Sequence, residues 1–413
     1  MSDGKKDTIA VSLTNYLDSG CIVAGASGLT LWADAFGLDS FAVGLLGALS
    51  ANAFGSAVGA LFGGSLADKY GRKLIYTYNM LVYMVGALLI IFALNFSMLL
   101  AGFLVMGMSV GAGVPASWTY ISEMAQPDAR AYNIGISQLA WSLGPAIIFT
   151  LGVLLAPLGL LGNRLLFVSL LFVAIIAWFM QRQLDESKDW QVEKARISTE
   201  SKTGYRELFS LGVNRKSIFF LVGVYLFWNL VAGAMGFFMP FVYETVGGLT
   251  NAQANLLQAV LWILTSLASY FGFAKLGDKV DPRKFFFLGA SMAVLSWVIL
   301  TYVGMSWIGL WVFVTLWGIS AGIGAQAFYA LWSTELFPTR YRGSAQGILF
   351  FLVRGSCGVW SIVFPIILSN LGFTVAGSAM IGLLLISLVI GTIWTPRTQG
   401  KSLEEITFER YTD

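Results

Sequence analysis

The chain has 413 residues, of which 57% are hydrophobic and 11% charged, with a formal net charge of +3. Soluble domains carry roughly 25% charged residues, so a soluble domain is excluded and a polytopic helical membrane protein is indicated. There is no histidine, which removes imidazole from any proton path or metal site.

The amino terminus, MSDGKKDTIAV, mixes lysines with aspartates, and no small-residue cleavage site follows a short apolar core. The first span is therefore read as retained. Apolar runs of about 20 residues can each cross a bilayer as a helix. Twelve such spans fall near 10–34, 41–66, 74–94, 98–122, 132–156, 165–183, 217–243, 253–274, 285–304, 307–333, 344–369 and 372–394. They divide into an N-terminal six-helix bundle (1–183) and a C-terminal one (217–394). Between them lies a polar, mixed-charge linker (184–216), read as solvated and cytoplasmic with room for a short surface helix. Residues 395–413 form a cytoplasmic tail. With both termini inside, all but two of the 25 Lys and Arg residues are cytoplasmic, the exceptions being Arg164 and Arg354. That agrees with the enrichment of basic residues in cytoplasmic loops. Cys21 and Cys357 both fall within spans, as small buried hydrophobes.

The halves repeat. GGSLADKYGRK (63–73) follows span 2, and FAKLGDKVDPRK (273–284) follows span 8, so that Asp68 recurs as Asp278. YISEMAQPDAR (120–130) ends span 4 and LWSTELFPTRYR (331–342) ends span 10. Glu123 thus recurs as Glu335, each with an arginine seven residues on, Arg130 and Arg342. A duplicated six-span unit is the signature of a secondary transporter with its substrate site at the repeat interface.

On these motifs the sequence resembles the major facilitator superfamily, above all in GSLADKYGRK (64–73). The resemblance implies an all-α fold of twelve helices in two bundles related by a pseudo-two-fold axis. It also implies that Asp68 and Arg72, with Glu123, Arg130, Asp278, Glu335 and Arg342, latch the cytoplasmic gate. The ends of spans 4 and 10, LDESKDW (184–190) and the tail TPRTQGKSLEEI (395–406) resemble the sugar porters. Gln138 falls where that group places a sugar-binding glutamine. Elsewhere the chain departs from them: Phe227 and Trp228 stand where a glutamine pair would be, GAQAFYALW (324–332) replaces a proline-rich stretch, and Arg354 replaces a tryptophan. In FPTRYRGSAQGILFFLVRG (337–355), Arg354 lies twelve residues beyond Arg342. That spacing resembles organic-ion transporters and metabolite:proton symporters, whose anion-carrying members use this arginine for substrate.

Two ionisable groups lie deep in spans, Asp18 and Arg354. A charge at the bilayer centre costs somewhere between about 3 and 17 kcal/mol, and such groups usually mark ion or substrate paths. Asp18 is read as the proton carrier and Arg354 as a bidentate carboxylate clamp, with mutual pairing left open. Gln138, Trp141, Trp228, Asn229, Gln326 and Tyr329 are expected to line the rest of the site, with Asn15, Asn52 and Trp118 as weaker candidates. Each has a packing alternative.

The leading expectation is a proton-coupled symporter importing a small organic anion, monomeric, in the bacterial inner membrane. The alternatives are a neutral sugar or polyol symporter, a drug:proton antiporter suggested by SLGPAI (142–147), and a ligand sensor that does not transport. No metal cluster, catalytic nucleophile or nucleotide loop is present, so no enzyme, cofactor, metal or nucleic-acid partner is expected.

Overall fold

The computed structural model describes residues 3–38, 40–124, 129–197 and 205–411. Residues 125–128 of the loop after span 4 and 198–204 of the linker lie outside the described residues. The N-terminal bundle comprises α1 (Asp3–Ser27), α2 (Leu29–Phe36), α3 (Ser40–Leu49), α4 (Phe54–Tyr70), α5 (Arg72–Ile91), α6 (Phe96–Met124), α7 (Arg130–Leu155) and α8 (Leu160–Gln181). The linker carries α9 (Lys188–Ile197) and α10 (Tyr205–Ser210). The C-terminal bundle comprises α11 (Gly212–Thr245), α12 (Asn251–Leu267), α13 (Pro282–Val298), α14 (Trp307–Ile323), α15 (Ala325–Glu335), α16 (Arg342–Leu371) and α17 (Phe373–Ile393), and the tail forms α18 (Leu403–Tyr411).

Among the described residues, eleven segments are long and apolar enough to cross a membrane. The expected first span, α1, is not one of them. Its sequence opens on charges and carries Thr14, Asn15, Asp18 and Ser19, all buried. The polarity is tolerated because α1 is enclosed by protein, packing on α6, α7, α8 and α11. Three expected spans are also interrupted. Span 1 breaks at Gly28, span 2 between α3 and α4, and span 10 at Gly324 between α14 and α15.

Starts of helices follow from local chemistry. Thr250 and Gln253 form a reciprocal capping box at α12, Asp281 caps α13 by accepting from the Lys284 N–H at 2.9 Å, and Ser306 caps α14. Ser402 and Glu405 do the same for α18, and the bonds from Ser402 hold the Glu405 carboxyl below its ordinary range.

Helices meet closely where glycines repeat every fourth residue. Gly55, Gly59 and Gly63 of α4 face Gly107, Gly111 and Ala112 of α6. A Cβ on Gly59 would lie 1.9 Å from the Met108 carbonyl oxygen, and one on Gly111 would lie 1.9 Å from that of Ser56. In lipid, where no hydrophobic force drives helices together, such close backbone packing holds the bundle.

Candidate transport site

The interruption of span 2 brings Asn52 to the centre of the molecule. Between α3 and α4 its backbone carbonyl is free, and both this oxygen and its side-chain oxygen accept from Arg354 Nη1, at 3.3 and 3.1 Å. Broken helices at membrane depth are tolerated where the freed backbone groups find such partners. The other guanidinium nitrogen, Nη2, lies 3.5 Å from Asp18 Oδ2. Trp141 Nε1 donates to the same oxygen at 3.0 Å. The Phe350 ring lies under the guanidinium, 4.9 Å from centroid to Cζ. Asp18 is 1% exposed and Arg354 3% exposed. The two deep charges therefore neutralise each other, and they do so across the bundles, α1 to α16.

Beside this pair is a small chamber whose polar wall is Ser19, Asn52, Trp141, Asn229, Trp262 and Arg354. Its free volume is about 30 Å³, enough for about two waters. Ligand pockets are usually about 300 Å³ or more, so the walls must separate to admit a sugar-sized molecule. The edge-to-face pair Trp141–Trp262, 5.2 Å between centroids, joins α7 to α12 across the bundles.

Of the expected site residues, Arg354, Trp141 and Asn229 line the chamber together with the weaker candidate Asn52, and Asp18 adjoins it. Asn229 Oδ1 accepts from the Cys357 thiol at 3.0 Å. Gln138, Trp228, Gln326 and Tyr329 are buried but lie outside the chamber wall. Trp228 and Tyr329 sit in an aromatic column instead: Tyr329 stacks on Tyr225 at 3.8 Å and meets Trp118 edge-on, while Trp228 stacks toward Tyr225 and Trp317. Gln138 is one turn from Trp141, and both its amide atoms lack a partner among the described residues. Asn15 donates to Ser117 at 2.9 Å and holds α1 to α6. The sequence reading missed Trp262, Ser19 and the central place of Asn52. The missed signal for Asn52 was SANA (50–53), a short polar stretch inside an apolar run.

At the helix ends that carry the repeated motifs, the acids pair with the opposite repeat. Glu123 accepts from Arg342 at 2.9 Å and also from Arg72 at 2.9 Å, and Arg130 donates to Glu335 at 2.9 Å. Asp68 accepts from the backbone N–H groups of Gly343 and Ser344 at the start of α16, at 3.0 and 2.5 Å. Asp278 accepts from Ala131 and Tyr132 at the start of α7, at 3.1 and 3.0 Å. Each carboxylate thus meets the positive end of a helix in the other half. Glycines close the seam. A Cβ on Gly64 would lie 2.3 Å from the Gly343 oxygen, and one on Gly135 would lie 2.5 Å from Ala274 Cα.

The start of the linker, expected to be solvated, docks on this cluster of ion pairs. Glu186 accepts from the Arg72 and Lys73 N–H groups at 2.9 and 3.0 Å, and Ser187 donates to Glu123 at 2.5 Å. Trp190 donates to the Asp68 carbonyl at 2.8 Å. Mixed polarity there serves the open donors at the start of α5, a need that composition does not display.

The Major Facilitator Superfamily profile matches residues 8–361. The chain is 46% identical over 413 residues to the minor myo-inositol transporter IolF of Bacillus subtilis (strain 168), covering 98% of this chain and 94% of that protein. It is 27% identical over 404 residues to the glucose transporter GlcP of Staphylococcus epidermidis, covering 87% of each. Among solved structures, the proton:xylose symporter XylE superposes with a TM-score of 0.85 at 17% identity, covering 98% of each chain. With its duplicated bundles, its central ion pair and these likenesses, the chain belongs to the Major Facilitator Superfamily and is a multi-pass membrane transporter, not an enzyme.

Proposed function

We propose that this protein imports a neutral polyol or sugar, of the inositol kind, together with a proton. The observation that carries this reading is the 46% identity to a myo-inositol transporter over nearly the whole chain. The organic-anion expectation rested on the spacing from Arg342 to Arg354 and on a deep arginine whose pairing with Asp18 the sequence left open. Asp18 supplies the counter-charge while it is ionised, so the resting chamber offers a carboxylate no unpaired cation. A neutral polyhydroxy ligand needs hydrogen-bond partners and apolar walls instead, which Asn52, Asn229, Trp141 and Trp262 offer.

Asp18 is the proposed proton carrier. A proton taken from outside neutralises the carboxylate and removes the electrostatic tie between α1 and α16. Arg354 then keeps only its bonds to Asn52, and the two halves can separate around the substrate. Release of the proton inside restores the pair and resets the empty carrier. The charge asymmetry of the loops supports a plasma-membrane orientation with both termini cytoplasmic.

The test is ligand-dependent thermal unfolding of the purified protein, because ligands that bind the native state raise its apparent stability. Stabilisation by myo-inositol, with none from glucuronate at the same concentration, is expected. Stabilisation by acids alone would return the function to an organic-anion carrier, with Arg354 freed for substrate by protonation of Asp18.

A further inference from the structure

At the cytoplasmic end of the C-terminal bundle, away from the chamber and the cluster of ion pairs, α18 folds back onto the start of α11. Arg410 donates to Ser217 Oγ at 2.5 Å, and the Tyr411 hydroxyl donates to Asn214. Between α11, the end of α17 and α18 lies a cleft with about 460 Å³ of free volume. Its wall includes Lys216, Phe219, Ile390, Trp394 and Arg410, and no carboxylate among the described residues. Glu409, the acid next to Arg410 in sequence, is held by Lys401 at 2.5 Å. Arg410 Nε is buried without a partner among the described residues. The apolar side of the cleft is open: Phe219 is 77% exposed and Trp394 61% exposed.

This is the anatomy of a membrane interface. A tryptophan ends one span, a lysine opens another, and Phe219 lies one turn deeper than Lys216. Basic pockets between spans on the cytoplasmic side suit anionic headgroups. We propose that this cleft binds an anionic membrane phospholipid, its phosphate between Lys216 and Arg410 and an acyl chain along Phe219 and Ile390. A free phosphate would use the two cations but not the exposed apolar wall. Because Arg410 belongs to α18, a bound lipid also fastens the tail helix to the bundle.

The test uses the full chain in neutral detergent, with thermal unfolding followed on addition of phosphatidylglycerol, phosphatidylcholine or glycerol 3-phosphate. Phosphatidylglycerol alone should stabilise. Lys216 is exposed, so Lys216→Gln should leave the unfolding temperature without lipid unchanged. It should weaken the apparent affinity for phosphatidylglycerol about fivefold, the contribution of one basic residue at a membrane surface, and Lys216→Arg should restore it. Equal stabilisation by phosphatidylcholine, an equal shift with glycerol 3-phosphate, or an affinity indifferent to Lys216→Gln in a folded protein would each overturn the proposal.

Discussion

Arg354 meets three residues: the Asp18 carboxylate, both oxygens of Asn52 at the helix break, and the Phe350 ring face. Removing one member of a buried ion pair typically costs about 3–5 kcal/mol, because the other charge is left uncompensated, whereas replacing both can be close to neutral. Arg354→Gln should therefore destabilise the protein by about that amount, and Asp18→Asn in the same chain should recover part of the loss. Thermal unfolding of the two single variants and the double variant measures the coupling. Purely additive losses would mean that the pair contributes nothing beyond its separate hydrogen bonds. Transport gives an independent reading of the same residue. Asp18→Asn should abolish concentrative uptake while leaving exchange of labelled for unlabelled substrate. Accumulation at the native level in that variant would remove Asp18 from the proton path.

At the scale of the helices, glycine spacing gives a sharper expectation than hydropathy. Gly111 has the Ser56 backbone 1.9 Å from where a Cβ would sit, whereas Gly382 of α17 has nothing within 4 Å. Gly111→Ala should cost about 1–3 kcal/mol through overpacking. Gly382→Ala should be neutral or stabilising by up to about 1 kcal/mol, since it only removes backbone freedom within a helix. Unfolding temperatures compare the two, and equal effects would mean that the α4–α6 seam relaxes freely. Spans and motifs were legible in the sequence because lipid demands long apolar helices and turns collect charge. Helix breaks were less so. The polar SANA stretch is too short to interrupt an apolar run, and only the structure shows Asn52 facing Arg354. The Asp18–Arg354 contact was not legible at all, since it joins residues from separate halves whose spacing carries no register. The aromatic column failed for a related reason: Trp228 and Tyr329 have the right depth for the site, but depth does not say which way a helix face turns.

For the whole molecule, the two-fold repeat makes the proposed cytoplasmic closure a sum of paired terms. Asp68 holds the start of α16 and Asp278 holds the start of α7, so neither half opens inward without releasing both helix ends. Each carboxylate cap contributes about 1 kcal/mol at a helix amino terminus. Losing both by Asp68→Asn and Asp278→Asn should shift the balance toward the inward-open state by about 2 kcal/mol, or roughly thirtyfold. Ala274, packed against Gly135 in the seam, can report this shift. With Cys21 and Cys357 replaced by serine, Ala274→Cys should react slowly with a cytoplasmic maleimide in the otherwise native chain and many times faster in the double-cap variant. Uptake should follow by mass action, because external substrate binds only the outward-accessible fraction and its apparent affinity falls with that fraction. If labelling is unchanged while uptake is lost, the caps act on a step other than closure. Unchanged labelling with unchanged uptake would instead assign the closure to the ion pairs Glu123–Arg342 and Arg130–Glu335.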